Sequence, residues 1–519
     1  MSLTEVPPTQ NLSKVASRHG LDAEPQTRTF ARADEILFVA GLCFAAVLVR
    51  LFAISQPYVD AWSYKQGTVA MIAENFYRNG FNLFYPQINW AGTAPGYIGT
   101  EFPLVPFIAA LLYVPFGVQE WIGRAVTLFS FTPSLLFFFL LVKRSFNART
   151  AIFALVTYAA IPLSVFASRT FMSDMTSLSF SIMALYYSGE WLEKPDNWHL
   201  FFAGSLTIAF AILTKLPAVI IGFPILCMAW SKHGHQVYRQ RKLWVFAAIA
   251  LALPAAWYLH ACLVARDYPP HQFAGGDGLT IMDFEYYAFI VRRLFTSSLT
   301  PIVAVAMLIG LVLSWIRNAS RLFHWWLLAV LVFIFVAGLG NRHPWYQLPA
   351  VPIAAAASGF ALDLALTKLR NLVKCPSFET AATAAFFLAL VTTSYFYLRP
   401  LYDPWAIPLQ SAGHEIDRLA PADALVIFVL DGDSSGIYYS KHKGWHAFDA
   451  NVWGAPLDSA EAITGVERLR KNGASYIVFT QYTAWWLDYY EDFGKYLDSR
   501  YRRVRATDDY VIYDLAHLA

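Results

Sequence analysis

A chain of 519 residues in which 57% are hydrophobic, 17% aromatic and only 14% charged does not have the composition of a soluble globular protein. A net charge of +3, with no basic block interleaved with aromatics, excludes a nucleic-acid binder. The four cysteines, Cys43, Cys227, Cys262 and Cys375, contain no CxxC pair and imply neither a disulfide framework nor a thiolate metal site.

The expected architecture is therefore a polytopic α-helical membrane protein. Residues 1–34 place Lys14, Arg18, Arg28 and Arg32 among Pro, Ser and Thr and read as a disordered cytoplasmic tail. The apolar run after them, about 19 residues, is too long for the core of a signal peptide and reads as an uncleaved span. A bilayer core takes about 20 mostly apolar residues per helix. Runs of that kind lie near Ile36–Ile54, Ile122–Val142, Thr150–Ala167, Met172–Trp191, Leu200–Leu213 and Leu216–Trp230. Others follow near Leu243–Leu263, Leu299–Ile316, Trp325–Leu339, Tyr346–Leu366 and Thr380–Leu398, which makes about eleven spans within a module of residues 35–399.

Lys and Arg concentrate in alternate connections, among them Lys143, Arg144, Arg149, Lys232, Arg239, Arg241, Lys242, Lys368 and Arg370. This bias places the N-terminus in the cytoplasm, and an odd number of spans places the C-terminal region outside. The first outer loop, residues 55–121, contains "EFPLVPFIAALLYVPFG", whose prolines 103, 106 and 115 make it an interfacial or re-entrant segment. A twelfth span there is the rival reading, and it would reverse the charge bias downstream. Beyond Arg399 the pattern becomes that of a water-soluble α/β unit, residues 400–519. Strands are expected at Ala424–Leu430, Ala474–Thr480 and Tyr510–Leu515, with a helix ending at Asn472-Gly473.

Ionisable residues gather at the outer ends of spans. "SRTFMSDMTSL" sets Asp174 between two apolar runs, where an ionised carboxylate costs roughly 2.5–3.5 kcal/mol at the bilayer centre and is rarely kept without a role. "QPYVDAWSYKQG" sets Asp60 among aromatics that would desolvate it and raise its basicity, as a general base requires; an N-cap for the following helix is the alternative. Glu101 in "TEFPL" reads as an interfacial charge or as a ligand of a divalent metal shared with His260 or His271, which flank "HACLVARDYPPHQF". Lys215 in "TKLP" and Arg342 and His343 in "GNRHPWYQLP" suit an anionic lipid head group, or else snorkel to ordinary phospholipid. Trp345 and Tyr346 fit an aromatic belt under either reading. "DGDSSG", Asp431–Gly436, opens like a calcium loop but has His442 where a bidentate Glu is required, so it reads as a turn between strand and helix.

Taken in order, "YVDAWSY", "EFP", "SRTFMSDM", "LTKLP" and "HPWYQLPAVP" resemble the GT-C membrane glycosyltransferases of the protein O-mannosyltransferase and aminoarabinose-transferase type, over about residues 36–400. The C-terminal unit is similar to the periplasmic α/β appendage of bacterial members. The resemblance implies an inverting enzyme in the bacterial cytoplasmic membrane. Its donor would be a polyprenyl-phosphate sugar and its acceptor a lipid, glycan or protein on the periplasmic side. By the same resemblance Asp60 matches the catalytic loop aspartate, Asp174 the second site aspartate, and Glu101 the acid that contacts metal or substrate. Lys215 and Arg342 are implied for the donor phosphate, with Arg169, His343 and Tyr346 beside them as substrate-binding candidates. Two departures are visible: Phe102 stands where the aminoarabinose-transferase type commonly has Lys, and Ala61 where the loop usually has a second acid. A transporter or flippase of lipid-linked sugars and a non-catalytic scaffold are the alternatives; no inverted repeat of the transporter kind is visible.

Overall fold

The structure, a computed structural model, describes residues 32–274, 280–429, 433–446 and 455–518. The expected tail therefore lies almost wholly outside the described residues, as do Asp431 and Gly432. The chain divides after Gly41, and the unit Leu42–Ala519 holds everything below except the first half of α1.

The helices in chain order are α1 (Arg32–Arg50), α2 (Ser63–Asn79), α3 (Leu104–Phe116), α4 (Glu120–Ser145), α5 (Ala148–Ala160), α6 (Pro162–Ala167), α7 (Asp174–Glu193), α8 (Trp198–Thr214), α9 (Gly222–His233) and α10 (Arg241–Asp267). They continue with α11 (Phe284–Arg293), α12 (Pro301–Ile316), α13 (Leu322–Val336), α14 (Ala350–Val373) and α15 (Pro376–Leu398). Each expected apolar run is helical. By length and composition, five helical segments among the described residues can cross a membrane, or six if the bent pair Phe284–Ser298 and Pro301–Ile316, meeting at 106°, is one span. The difference from the expected eleven has local causes. Pro162 cannot extend α5, so the run 150–167 is broken into α5 and α6. α8 stops at Thr214 and Lys215 is extended, with φ −159° and ψ 111°, before a separate 3-10 helix, Leu216–Ile221, that carries Pro217 in its first turn.

The bundle is multi-pass and lipid-facing: α10 leaves Leu251, Leu253 and Leu259 exposed, and α12 leaves Val305, Leu308 and Val312. Small residues let its inner helices approach closely. A Cβ on Gly310 of α12 would lie 1.9 Å from the Ala357 carbonyl oxygen of α14, and one on Gly359 would lie 2.7 Å from the Ala154 nitrogen of α5.

The first loop forms α2, a two-residue strand β1 (Gly99–Thr100) and the proline-punctuated helix α3. β1 pairs in parallel with β2 (Phe273–Ala274), tying this loop to the end of α10. α3 buries Val105, Ala109 and Tyr113 and exposes Leu111, Val114 and Phe116.

The C-terminal region is an α/β unit. Helices α16 (Ile407–Leu419), α17 (Ser435–Ser440), α18 (Ser459–Lys471), α19 (Trp485–Tyr489) and α20 (Glu491–Arg500) accompany strands β3 (Leu425–Val429), β4 (Lys443–His446), β5 (Ala474–Thr480), β6 (Tyr501–Ala506) and β7 (Tyr510–Leu518). The sheet order is β4-β3-β5-β7-β6, with β4, β3 and β5 parallel and β7 antiparallel to both neighbours. The three expected strands and the helix before Gly473 are present; β4 and β6 are additional. The unit does not hang free, because Val426, Phe428, Val478 and Ile512 of its sheet share one hydrophobic core with Val69, Ala73 and Phe76 of α2 and Val105 and Ala109 of α3.

Candidate functional site

Two ionic groups flank the N-terminal turn of α2, and they differ in access. The first centres on Asp60, which is fully buried. Its Oδ2 lies 3.2 Å from Arg124 Nη2 and 3.2 Å from Arg169 Nη1, both arginines also fully buried. Oδ1 accepts from Gln66 Nε2 at 2.6 Å, and Gln66 Oε1 in turn accepts from the Phe171 amide at 3.2 Å. Arg124 also donates to the Ile54, Gln56 and Pro57 carbonyls, and Arg169 to that of Ala53. Every lone pair that a general base would use is thus engaged by a guanidinium or an amide. Asp60, expected to be desolvated by its aromatic neighbours, is thus enclosed by counter-charges as well; the N-cap alternative does not hold, since α2 begins after Trp62 without a side-chain cap. Arg169, expected at the substrate, is likewise committed to this lock.

The second group is also buried, but Asp174 and Lys215 border a cleft. Lys215 Nζ sits 3.1 Å from Asp174 Oδ1 and 3.5 Å from Glu101 Oε1, and Lys65 Nζ approaches the same Glu101 oxygen at 3.7 Å. Asp174 opens α7, where the helix N-terminus favours an acid. Its second oxygen, Oδ2, is buried and has no hydrogen-bond partner. Glu101 Oε2 accepts from Thr100 Oγ1 at 3.2 Å. Burial would raise the Glu101 carboxyl, but the ammonium groups of Lys65 and Lys215 outweigh it and hold it at about 2. Asp174, Lys215, Ser177, Trp326, Trp345 and Tyr346 line a narrow cleft of about 40 Å³, and Lys215 Nζ stands 5.2 Å from the Tyr346 ring centroid.

A third layer closes one side. His343 stacks on Trp345, with ring centroids 4.4 Å apart and planes at 6°. Its Nε2 accepts from Arg342 Nε at 3.1 Å and lies 3.3 Å from the Tyr64 hydroxyl. Burial, reinforced by Arg342, Arg293, Lys65 and Lys215, lowers His343 to about 4, so it is a neutral acceptor. Arg342 is exposed, with no carboxylate partner among the described residues.

The expected metal set is not assembled. Among the described residues no three His, Cys, Asp or Glu side chains are grouped to hold an ion. His260 Nε2 is bonded to the Phe84 carbonyl at 2.8 Å and His271 Nδ1 to that of Arg266 at 3.1 Å, while Glu101 is taken by two ammonium groups. Sequence reasoning left out Lys65 and Tyr64, five and four residues beyond Asp60; nothing local announces that α2 sets Lys65 beside Glu101 and Tyr64 beside His343.

Residues 100–260, which include Glu101, Asp174 and Lys215, match the family model described as dolichyl-phosphate-mannose-protein mannosyltransferase. No curated protein matches the chain as a sequence. Among solved structures the chain is similar to ArnT from Cupriavidus metallidurans bound to undecaprenyl phosphate, at 15% identity and a TM-score of 0.61 over 93% of this chain and 98% of that one. The oligosaccharyltransferase of Archaeoglobus fulgidus is similar at 14% identity and a TM-score of 0.58, covering 87% of this chain and 70% of that one. The mycobacterial arabinofuranosyltransferase AftD aligns at 12% identity and 0.52, over 92% and 40%. The chain thus shares its fold with these solved structures, and its residues 100–260 carry the family match, in keeping with the resemblance of its motifs.

Proposed function

We propose that the protein is an inverting glycosyltransferase that moves a sugar from a polyprenyl-phosphate donor to a lipid, glycan or protein acceptor at the periplasmic face of a bacterial cytoplasmic membrane. In this reading the N-terminus is cytoplasmic, the eleven apolar helical runs are crossings, and the α/β unit is periplasmic. The observation that carries it is the arrangement of Asp174 and Lys215: one carboxylate oxygen held by a cation, the other buried and unpartnered, at the wall of an aromatic cleft.

The reaction needs three things: a base for one proton, positive charge for the departing phosphate, and a place for the lipid. Asp174 Oδ2 takes the proton of the acceptor hydroxyl as its oxygen attacks the anomeric carbon. The bond from that carbon to the phosphate oxygen breaks, its electron pair leaves with the polyprenyl phosphate, and the single displacement inverts the centre. The leaving group gains a negative charge, which Lys215, Lys65 and Arg342 are there to oppose. Glu101 holds the two lysines apart and aligned. An apolar groove between α9 and α13, bordered by Phe223, Leu328, Val332 and Val336, shares Ile220 and Phe333 with the cleft and fits an isoprenoid chain.

The kinship in fold is with transferases, so the transport reading is not favoured. The test is transfer by the purified protein from synthetic undecaprenyl-phosphate sugars to an extract of envelope glycolipids, glycans and proteins. Asp174→Asn should lower the rate by about 10²–10⁴, the usual worth of a general base, with undecaprenyl phosphate binding kept. Full activity of that variant would refute the assignment.

A further inference from the structure

A second cleft, of about 260 Å³, lies away from Asp174, between α2 and the β3–β4 side of the C-terminal sheet. α2 links the two: Lys65 stands at the catalytic group, and Glu74 lies roughly 14 Å further along the same helix at a rise of about 1.5 Å per residue. From Glu74 onward this helix presents Asn75, Arg78 and Asn79 to the cleft, with Asn89 beside them.

These side chains form an amide ladder. Asn79 Nδ2 donates to Asn75 Oδ1 at 3.2 Å and to Gln87 Oε1 at 2.6 Å. Asn75 Nδ2 donates to Asn89 Oδ1 at 2.9 Å and to the Gln87 carbonyl at 3.0 Å. The ladder leaves Asn79 Oδ1 as an acceptor and Asn89 Nδ2 as a donor, side by side with the Glu74–Arg78 pair, in which Arg78 Nε donates to Glu74 Oε1 at 2.7 Å. Tyr438 contributes an aromatic wall. The charges balance: Arg78 offsets Glu74, Lys441 offsets Asp417 at 2.6 Å, and Asp423 and Lys443 supply one of each sign.

That combination discriminates between ligand classes. A phosphate group asks only for donors and an ammonium group only for acceptors. A hydroxyl is both at once, so a polyhydroxylated ligand is matched by alternating donors and acceptors on a neutral surface next to a ring face. We infer that this cleft binds a neutral carbohydrate segment of the acceptor, distant from the hydroxyl that reacts, which makes the acceptor a glycan or a glycolipid with an extended head group. The inference rests on the transferase reading for the word acceptor, but the binding itself does not.

Saturation-transfer NMR on the full-length protein in detergent tests it without donor or turnover, using mannotriose and chitotriose as probes and triglycine as the non-carbohydrate control. The expected result is transfer to at least one trisaccharide and none to triglycine. Binding should weaken at least tenfold in Asn79→Trp, which fills the cleft from its exposed rim, and in Arg78→Ala, and should persist in Asp174→Asn. Variants are compared at matched melting midpoints. Absence of transfer to both trisaccharides, equal transfer to triglycine, or undiminished binding in both rim variants would overturn the inference. A protein without transferase activity can still pass this test, and an active transferase can fail it.

Discussion

Lys215 Nζ lies 3.1 Å from Asp174 Oδ1 and leaves the other oxygen of that carboxylate without a partner. One residue is thereby both a clamp on the proposed base and a cation for the departing phosphate. Lys215→Met removes both functions and leaves Asp174 and Glu101 facing each other without their shared charge. Loss of one preorganised charge-stabilising group costs about 10²–10³ in kcat. Lys215→Arg should keep charge but misplace it, retaining part of the rate. Transfer rates from a synthetic undecaprenyl-phosphate sugar decide this, and equal rates in Met and wild-type proteins would remove Lys215 from the mechanism.

For Asp60 the structure forecasts a stability defect before a chemical one. Asp60→Asn leaves Arg124 and Arg169 buried 3.2 Å from a neutral amide. Breaking a buried pair from one side costs about 3–5 kcal/mol because a charge is left uncompensated. The measurement is the thermal melting midpoint in detergent, alongside specific activity of the folded fraction. A marked fall in the midpoint is expected. An unchanged midpoint with abolished transfer would return Asp60 to the role of base.

Acid should weaken the fold through His343. Its folded-state value, about 4, is below the ordinary value near 6.5, so between those limits the unfolded chain binds the proton more readily. Stability is fully present above about pH 6.5 and is lost as pH falls toward about 4. His446, buried and lowered to about 3, acts in the same direction, so the informative quantity is the difference between wild type and His343→Gln. The variant's melting midpoint should fall less steeply from pH 7 to 4.5. Glu101, held near 2, adds slope only at the acid edge of that window, and does so in both proteins, so it cancels in the difference. Parallel curves would show that His343 is not held neutral.

Asp174 and Lys215 were legible as candidates because each interrupts apolar sequence: an acid near the start of one run, and a lysine between two short runs. The strands β3, β5 and β7 were legible from apolar runs of strand length. The full surroundings of Asp60 were not legible, because they come from Arg124 and Arg169, 64 and 109 residues away, and nothing local announces them. Its aromatic neighbours signalled burial correctly but not the counter-charges that came with it. β4 was missed because Lys443–His446 is four residues long, and β6 because Arg502, Arg503 and Arg505 mask it as a polar edge strand. The shared core of α2 and the sheet joins segments more than 300 positions apart, beyond the reach of periodicity.

The α/β unit should matter to the chemistry because it fixes the start of α2. Asp433 is buried; its Oδ2 accepts from Ser63 Oγ at 2.5 Å and its Oδ1 from the Ser435 amide at 2.7 Å. Ser434 Oγ donates to the Tyr64 carbonyl at 2.9 Å, so the loop before α17 grips the turn that carries Tyr64 and Lys65. Asp433→Ala removes both acceptors and frees that turn. A displacement of about 1 Å at a positioning residue can cost 10²-fold, and leaving the two buried donors unsatisfied costs about 1–3 kcal/mol. The expected result is kcat/KM reduced by about 10–10², with a modest fall in melting midpoint. Asp433→Asn, which keeps one acceptor oxygen, should fall between the two. Were Asp433→Ala to match wild type in kcat/KM, α2 would be held by its apolar face alone and the C-terminal unit would have no part in aligning Lys65.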